Sequence, residues 1–242
     1  MNGPAYWGIA GYPISHSLTP RLFEIIGAEL GIEAQSVYLE ADSMDEFEDN
    51  LENLQGDIWL SCTAPLKHSP QARLAVSGPE GVNAINQLKR TNGVWSATST
   101  DGVGFVAACR HIGVEPNGSI LRMRGGGSAA RAIAAAWAEK GGSIIPVEGR
   151  RALVSGPWDY AIISDGEADL AIDLDAAAGG GESAELSAKQ QVSISYGDGA
   201  TVDDFAVIMV AAQHLEAWKR LFTPDQESKL PTLDSLLRCL FQ

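Results

Sequence analysis

The chain has 242 residues, 45% of them hydrophobic and 20% charged, a composition that supplies a globular core rather than a disordered chain. Asp and Glu number 31 against 17 Lys and Arg, for a formal net charge of −14. This argues against a surface built to neutralise nucleic-acid phosphates, so any anion it binds must meet a local pocket.

Cys62, Cys109 and Cys239 are far apart, and His16, His68, His111 and His214 never fall at paired ligand spacing. Reduced thiols, a cytoplasmic setting and no metal site are expected. No basic-then-apolar leader and no apolar run approaching about 18 residues is found, so neither export nor membrane spanning is expected.

In chain order, Tyr6 to Ala10 reads as a buried strand, Arg21 to Leu30 as a helix and Ala34 to Ala41 as extended. Met44 to Leu54 reads as a second helix and Asp57 to Ser61 as a further buried strand. That βαβαβ rhythm predicts a parallel sheet covered by helices. Gly93 to Thr98 predicts another strand, after which Asp101 can cap a helix through roughly His111. A boundary near Gly113 to Gly118 follows. Ile120 to Arg124 then reads as a strand, Gly125-Gly126-Gly127-Ser128-Ala129-Ala130 as a turn, and an alanine-rich helix runs to about Lys140.

This is the strand, glycine turn and helix order of a dinucleotide site. Gly125 permits the tight turn, Gly127 lets backbone approach a pyrophosphate, and small Ala130 allows close packing. Glu148-Gly149-Arg150-Arg151 falls about 20 residues on, where the cofactor ribose is read. The arginines there favour a 2′-phosphate and Glu148 a free 2′-hydroxyl; a solvated charged turn is the structural alternative.

Ser143 to Val147, Trp158 to Ser164 and Ala168 to Leu174 read as strands, with Pro146 placing its strand at a sheet edge or end. Ala176 to Ser187 reads as a low-complexity loop. Helices over about Asp203 to Phe222 and Leu233 to Leu240 finish the chain.

Polar residues gather after the first-half strands, where open α/β sheets bind ligands. Ser15 and Ser17 lie in Pro13-Ile14-Ser15-His16-Ser17, and Thr63 and Lys67 in Thr63-Ala64-Pro65-Leu66-Lys67. The hydroxyls suit a substrate bearing a carboxylate and several alcohols. Lys67, following a proline that stops its strand, can pass a proton or stay charged as an electrophile, with Asp101 as its natural partner. Asn86 and Gln213 can grip ring hydroxyls. Turns, helix caps, a solvated lysine and buried structural amides are the alternatives for these positions.

Together these motifs resemble the shikimate dehydrogenase family, whose patterns run Pro-Ile-x-His-Ser-x-Ser-Pro, Asn-Val-Thr-x-Pro-x-Lys, Ala-Val-Asn-Thr, Asn-Thr-Asp-Gly, Gly-Ala-Gly-Gly-Ala and Met-Leu-Val-x-Gln. The resemblance implies Ser15, Ser17, Thr63, Asn86 and Gln213 as substrate residues and Lys67 with Asp101 as the catalytic pair. It implies Gly125, Gly127, Ser128, Ala129, Ala130 and Ala206 around the cofactor NADP, to which the spacing above adds Arg150 and Arg151. The implied fold is α/β in two domains: a βαβ substrate domain over 1–112 and 204–242, to which the C-terminal helices return, and a shortened Rossmann-like domain over 113–203. The implied reaction is reduction of 3-dehydroshikimate to shikimate by NADPH, a step of chorismate and aromatic amino acid biosynthesis, in a cleft between the domains. The protein is expected to be a monomer or homodimer with a small-molecule substrate and no nucleic-acid or membrane partner.

The chain departs from the family at Ser61 for asparagine, Gln87 for threonine and Ser99 for asparagine, and at Arg124, where an apolar residue is usual. Ala206 stands for a glycine. The Asn-Arg-Thr phosphate reader is not recognisable, the tyrosine before the late helices is absent, and Ile163-Ser164-Asp165 occupies the Asn-Ala-Thr position. Only Arg151 to Pro157 separates two expected strands, too short for a crossover helix. Two rival readings follow: a quinate or aminoshikimate dehydrogenase, or a shikimate-binding protein whose cofactor site has decayed.

Overall fold

A computed structural model describes residues 3–68, 70–175, 184–197 and 199–242. These form two compact units, the first of Met1–Glu80, Ala84–Thr100 and His214–Gln242, the second of Gly81–Asn83 and Asp101–Gln213.

In the first unit, β1 (Tyr6–Gly11), α1 (Thr19–Leu30), β2 (Gln35–Glu40), α2 (Met44–Glu52) and β3 (Ile58–Cys62) realise the expected βαβαβ order. A single turn, α3 (Pro70–Arg73), precedes β4 (Gln87–Thr91) and β5 (Val94–Thr98). The sheet order is β2-β1-β3-β4-β5. Because β1 is parallel to β2 and β3 while β4 is antiparallel to both neighbours, β5 runs the same way as β1 and β3. The carboxyl ends of β1, β3 and β5 and the amino end of β4 therefore share one edge.

The sequence reading found β5 but not β4, so the sheet is mixed rather than wholly parallel. The missed hairpin turns at Asn92-Gly93, both at positive φ (50° and 79°), the pair that a two-residue hairpin turn favours.

Alternation along the strands sorts two cores. Ile58, Leu60 and Cys62 pack with Phe47 and Leu51 of α2, while Trp59 faces the other way and stacks on Phe222 (5.1 Å, 14° between planes). There Trp7, Phe23 and Trp218 complete an aromatic layer. Gly27 of α1 is part of that fit, since a Cβ there would lie 2.3 Å from the Trp7 ring.

The second unit carries α4 (Asp101–His111), β6 (Ile120–Arg124), α5 (Ser128–Glu139), β7 (Ser143–Val147), β8 (Leu170–Asp173) and β9 (Gln190–Val192). Its four strands are parallel, in the order β7-β6-β8-β9. α4 lies against α5 so closely that a Cβ on Gly102 would be 2.0 Å from the Ala132 carbonyl oxygen. α4 groups by its contacts with this unit, whose main segment begins at Asp101. At its other end that segment reaches Gln213, within α6 (Phe205–Ala217). The late helix continues as a π-turn at Trp218–Phe222 and a 3-10 segment at Pro224–Lys229 before α7 (Leu233–Leu240), and everything from His214 on belongs to the first unit.

The expected strand at Trp158 to Ser164 is instead a 3-10 turn, Asp159–Ala161, and one isolated bridge, Ile144 to Ile162. The connection from β7 is too short to hold a crossover helix, so no more of a parallel neighbour forms. Pro146 lies on β7 beside that nearly unpaired margin, as its missing amide requires. Of the low-complexity loop at Ala176 to Ser187, residues 176–183 lie outside the described residues. No described helix is long and apolar enough to cross a membrane, and no described group of His, Cys, Asp or Glu could hold a metal ion.

Candidate active site

The loops after β1 and β3 are drawn together by backbone. Gly11, at φ +138°, leaves no room for a side chain, since a Cβ would lie 2.5 Å from Thr63 Cγ2 and 2.8 Å from the Ala64 carbonyl oxygen. Tyr12 N–H donates to Ala64 O (2.9 Å) and Thr63 N–H to Ala10 O (2.9 Å). The Ser15 to Ser17 loop and the Thr63 to Lys67 loop thus leave the same sheet edge side by side. Ser15 is exposed and Ser17 partly buried; the Ser17 hydroxyl accepts from Thr19 N–H (3.2 Å), a local turn bond ahead of α1, whose N-cap is Leu18.

Lys67 is partly exposed, and its carbonyl accepts from Ile85 N–H (2.7 Å). Burial pushes the Cys62 thiol up to about 12, with the nearby positive charge of Lys67 pulling the other way. Next to Ile85, Asn86 is 3% exposed. Its backbone joins the same edge, Cys62 N–H donating to Asn86 O (2.7 Å) and Asn86 N–H to Thr98 O (3.2 Å). Its side chain accepts from Thr100 N–H (2.7 Å) and lies 3.2 Å from the Thr100 hydroxyl through Nδ2.

A buried polar relay that the sequence reading did not identify stands behind Asn86. Gln87 donates to the Thr100 hydroxyl (3.2 Å) and accepts from the Ser61 hydroxyl (2.9 Å). Ser61 lies 3.4 Å from His214 Nε2, which is 3.2 Å from the Thr19 hydroxyl. Ser61 and Gln87 are direct partners across the β3–β4 pair, so two departures from the family pattern are one compensated pair. His214 was legible only as the residue after Gln213; nothing in the sequence placed it opposite Ser61.

The remaining expected site residues belong to the second unit. Asp101 is the first residue of α4, peptide-bonded to the Asn86-bound Thr100, and 1% exposed. It opens the helix rather than preceding it. Gln213 is partly buried and packs its backbone and Cγ on Gly104, where a Cβ would meet it at 2.3 Å. Ala206 is buried in the first turn of α6.

The glycine turn forms as expected, with Gly125 at φ +102°. Gly127 precedes α5, no side chain caps that helix, and the space at Gly127 is open. It is Gly126, rather than Gly127, that meets close backbone: a Cβ there would be 2.0 Å from Ala152 O. Ala130 is buried, and Ser128 and Ala129 are partly so. Arg131, unremarked in the sequence, reaches back to Gly126 O (3.3 Å) and to Val82 O (2.8 Å). Burial and then the charge of Arg151 hold its guanidinium below the usual arginine range, which places two cations near the turn.

Arg150 is exposed but committed: its backbone N–H donates to the Asp175 carboxylate and its Nη2 to Asp175 O (3.0 Å). The strand beside β6 is β8, so its end, Asp173-Leu174-Asp175, stands where Ile163-Ser164-Asp165 was expected. Asp173, 1% exposed, bonds the register partner Arg124 (3.1 Å). Burial pushes this carboxyl up, but the Ala184 and Asp175 amides and Arg124 outweigh it and hold it below the usual range.

No protein-family model matches the chain. The shikimate dehydrogenase (NADP(+)) of Xylella fastidiosa strain M12 is 33% identical over 147 residues, 56% of this chain and 49% of that protein. That of Bordetella avium strain 197N is 31% identical over 189 residues, 72% of this chain and 64% of that protein. The chain is similar to shikimate dehydrogenases over these spans.

It spans about half the length of the curated family members it matches, 49% of the Xylella protein. Shikimate 5-dehydrogenase from Thermus thermophilus, solved in complex with NADP(H) and shikimate, shares the fold with a TM-score of 0.77 at 20% identity, over 98% of each chain. The family implies a nicotinamide dinucleotide, and the second unit fits one. An uncapped helix N-terminus and an open Gly127 leave room for a pyrophosphate, with the positive charges of Arg131 and Arg151 nearby.

Proposed function

We propose that this protein catalyses the reversible reduction of 3-dehydroshikimate to shikimate with NADPH, as a cytoplasmic enzyme of chorismate and aromatic amino acid biosynthesis. The observation that carries this reading is the gathering of Ser15, Ser17, Thr63, Lys67 and Asn86 at one edge of the first-unit sheet, fixed by backbone bonds. Ser15 and Ser17 would hold the carboxylate, and Thr63, Asn86 and Gln213 the ring alcohols. Lys67 would donate the proton to the carbonyl oxygen during reduction and receive it during oxidation, with Asp101 as its partner.

Gly125, Gly127, Ser128, Ala129 and Ala130 would seat the dinucleotide phosphates, Arg150 and Arg151 the 2′-phosphate, and Ala206 the nicotinamide end. The cofactor supplies the hydride. Segments 1–112 with 204–242, and 113–203, are the functional domains in this reading; the unit division after Thr100 records which helix packs with which sheet.

The quinate or aminoshikimate alternative drew on the changes at Ser61, Gln87 and Ser99. The first two bond each other inside the sheet, and rates with quinate against shikimate decide between the readings. Lys67→Ala should lower kcat by at least about a hundredfold, the usual worth of a positioned acid–base group, and leave NADPH affinity within about twofold. Initial rates with shikimate and fluorescence titration with NADPH measure the two. Near-normal turnover would remove Lys67 from the chemistry, and no saturable NADPH binding would leave only a shikimate-binding protein.

A further inference from the structure

Open α/β nucleotide sites read the cofactor ribose at the end of the second strand, where a carboxylate accepts from a free 2′-hydroxyl and an arginine favours a 2′-phosphate. In this chain that strand is β7, and it is followed by Glu148-Gly149-Arg150. Gly149 has no side chain, and the place one would occupy is filled from another strand: a Cβ on Gly149 would lie 2.0 Å from Asp175 Oδ2 and 2.9 Å from the Asp175 carboxyl carbon. The same carboxylate lies against Gly125 of the glycine turn, 2.9 Å from where its Cβ would be. The Asp175 side chain is 8% exposed, whereas that of Arg150 is 74% exposed and has its Nε 3.9 Å from Asp175 Oδ1. A carboxylate and an arginine thus stand together at the ribose-reading position.

Building on the dinucleotide reading above, we propose that Asp175, delivered from the end of β8 into the space left by Gly149, is a cofactor-specificity residue that levels the preference between NADPH and NADH. A 2′-phosphate arriving at Arg150 must share its guanidinium with Asp175 and approach a like charge. A free 2′-hydroxyl meets an acceptor instead. Arg150 reads the phosphate and Asp175 offsets that reading, so the site takes both cofactors.

Fluorescence titration of NADPH and NADH tests this by direct binding. The wild type should bind the two with dissociation constants within about tenfold. Asp175→Asn keeps an oxygen to accept from Arg150 N–H while removing the charge, and should tighten NADPH by about tenfold relative to NADH, the scale on which a nearby like charge acts. Arg150→Gln should weaken NADPH and leave NADH within about twofold. A thermal melt shows that each variant folds.

A wild type preferring NADPH by more than about a hundredfold would overturn the proposal, as would a folded Asp175→Asn with an unchanged NADPH-to-NADH ratio. Binding of neither cofactor by the wild type would overturn the dinucleotide reading and this proposal with it. Saturable binding with a fixed ratio would overturn this proposal alone.

Discussion

His214 makes the stability of the first unit acid-sensitive in a way that can be isolated. The ring is 1% exposed, stands edge-on to Phe23 (centroids 5.0 Å apart, 87° between planes), and has its Nε2 between Ser61 and Thr19. Its Nδ1 has no hydrogen-bond partner among the described residues. Burial lowers its pKa from 6.5 to about 3. The folded imidazole therefore stays neutral while the unfolded one takes up a proton below about 6.5. The sign follows: stability from this group is complete above pH 6.5 and is lost as the pH falls towards about 3, at about 1.4 kcal/mol per pH unit. Between pH 7 and pH 5 the loss is about 2 kcal/mol.

Other carboxyls titrate over part of that range, so the informative quantity is a difference. His214→Gln keeps a donor and an acceptor near Ser61 and Thr19 but cannot titrate. Urea unfolding of both proteins at about pH 7 and about pH 5 should show the variant gaining about 2 kcal/mol on the wild type at the lower pH. An equal stability difference at both pH values would refute the assignment of a buried, neutral histidine.

Gln87→Ala should cost about 2–4 kcal/mol in the same unfolding assay, because Ser61 and Thr100 each lose a buried partner. A double-mutant cycle with Ser61→Ala should show coupling of about 1 kcal/mol or more. Arg124→Leu should destabilise by about 1–3 kcal/mol, because the buried Asp173 carboxylate keeps its two amide donors but loses its cation, and adding Asp173→Asn should restore part of the loss. A native-state thiol titration should label Cys239 first, since Cys62 and Cys109 are buried and burial raises both thiols.

The first half of the site was readable because its signals are local. Ile58, Trp59 and Leu60 form an apolar run that makes a strand, Pro65 ends the excursion, and the polar residues that follow have little choice but the sheet edge. β4 was missed because Gln87, Lys89 and Arg90 break the apolar pattern. Those side chains are satisfied by Ser61, by the carbonyls of Leu221 and Phe222, and by those of Leu54 and Gly56. Each partner is distant in sequence, and no window along the chain contains both members.

Arg124 and Asp173 show the same limit. Arg124 alone looked like a fault in a strand, and only the β6–β8 register pairs it with its carboxylate. Gly149 carried no signal of its own, and the carboxylate beside it could be seen only with β8 in place.

The short return after β7 also bears on how the chain avoids its own kind. Without a crossover helix, that margin of the second sheet has, among the described residues, the Ile144–Ile162 bridge and the Ile163 amide to Ile144 carbonyl bond as its pairing. An open β-strand margin invites strands from other molecules. Pro146 follows Ile144 by one full pleat, so its nitrogen turns to the same outer side and offers no hydrogen to an incoming strand. A residue that interrupts the ladder in one direction thus guards this margin against intermolecular β-pairing.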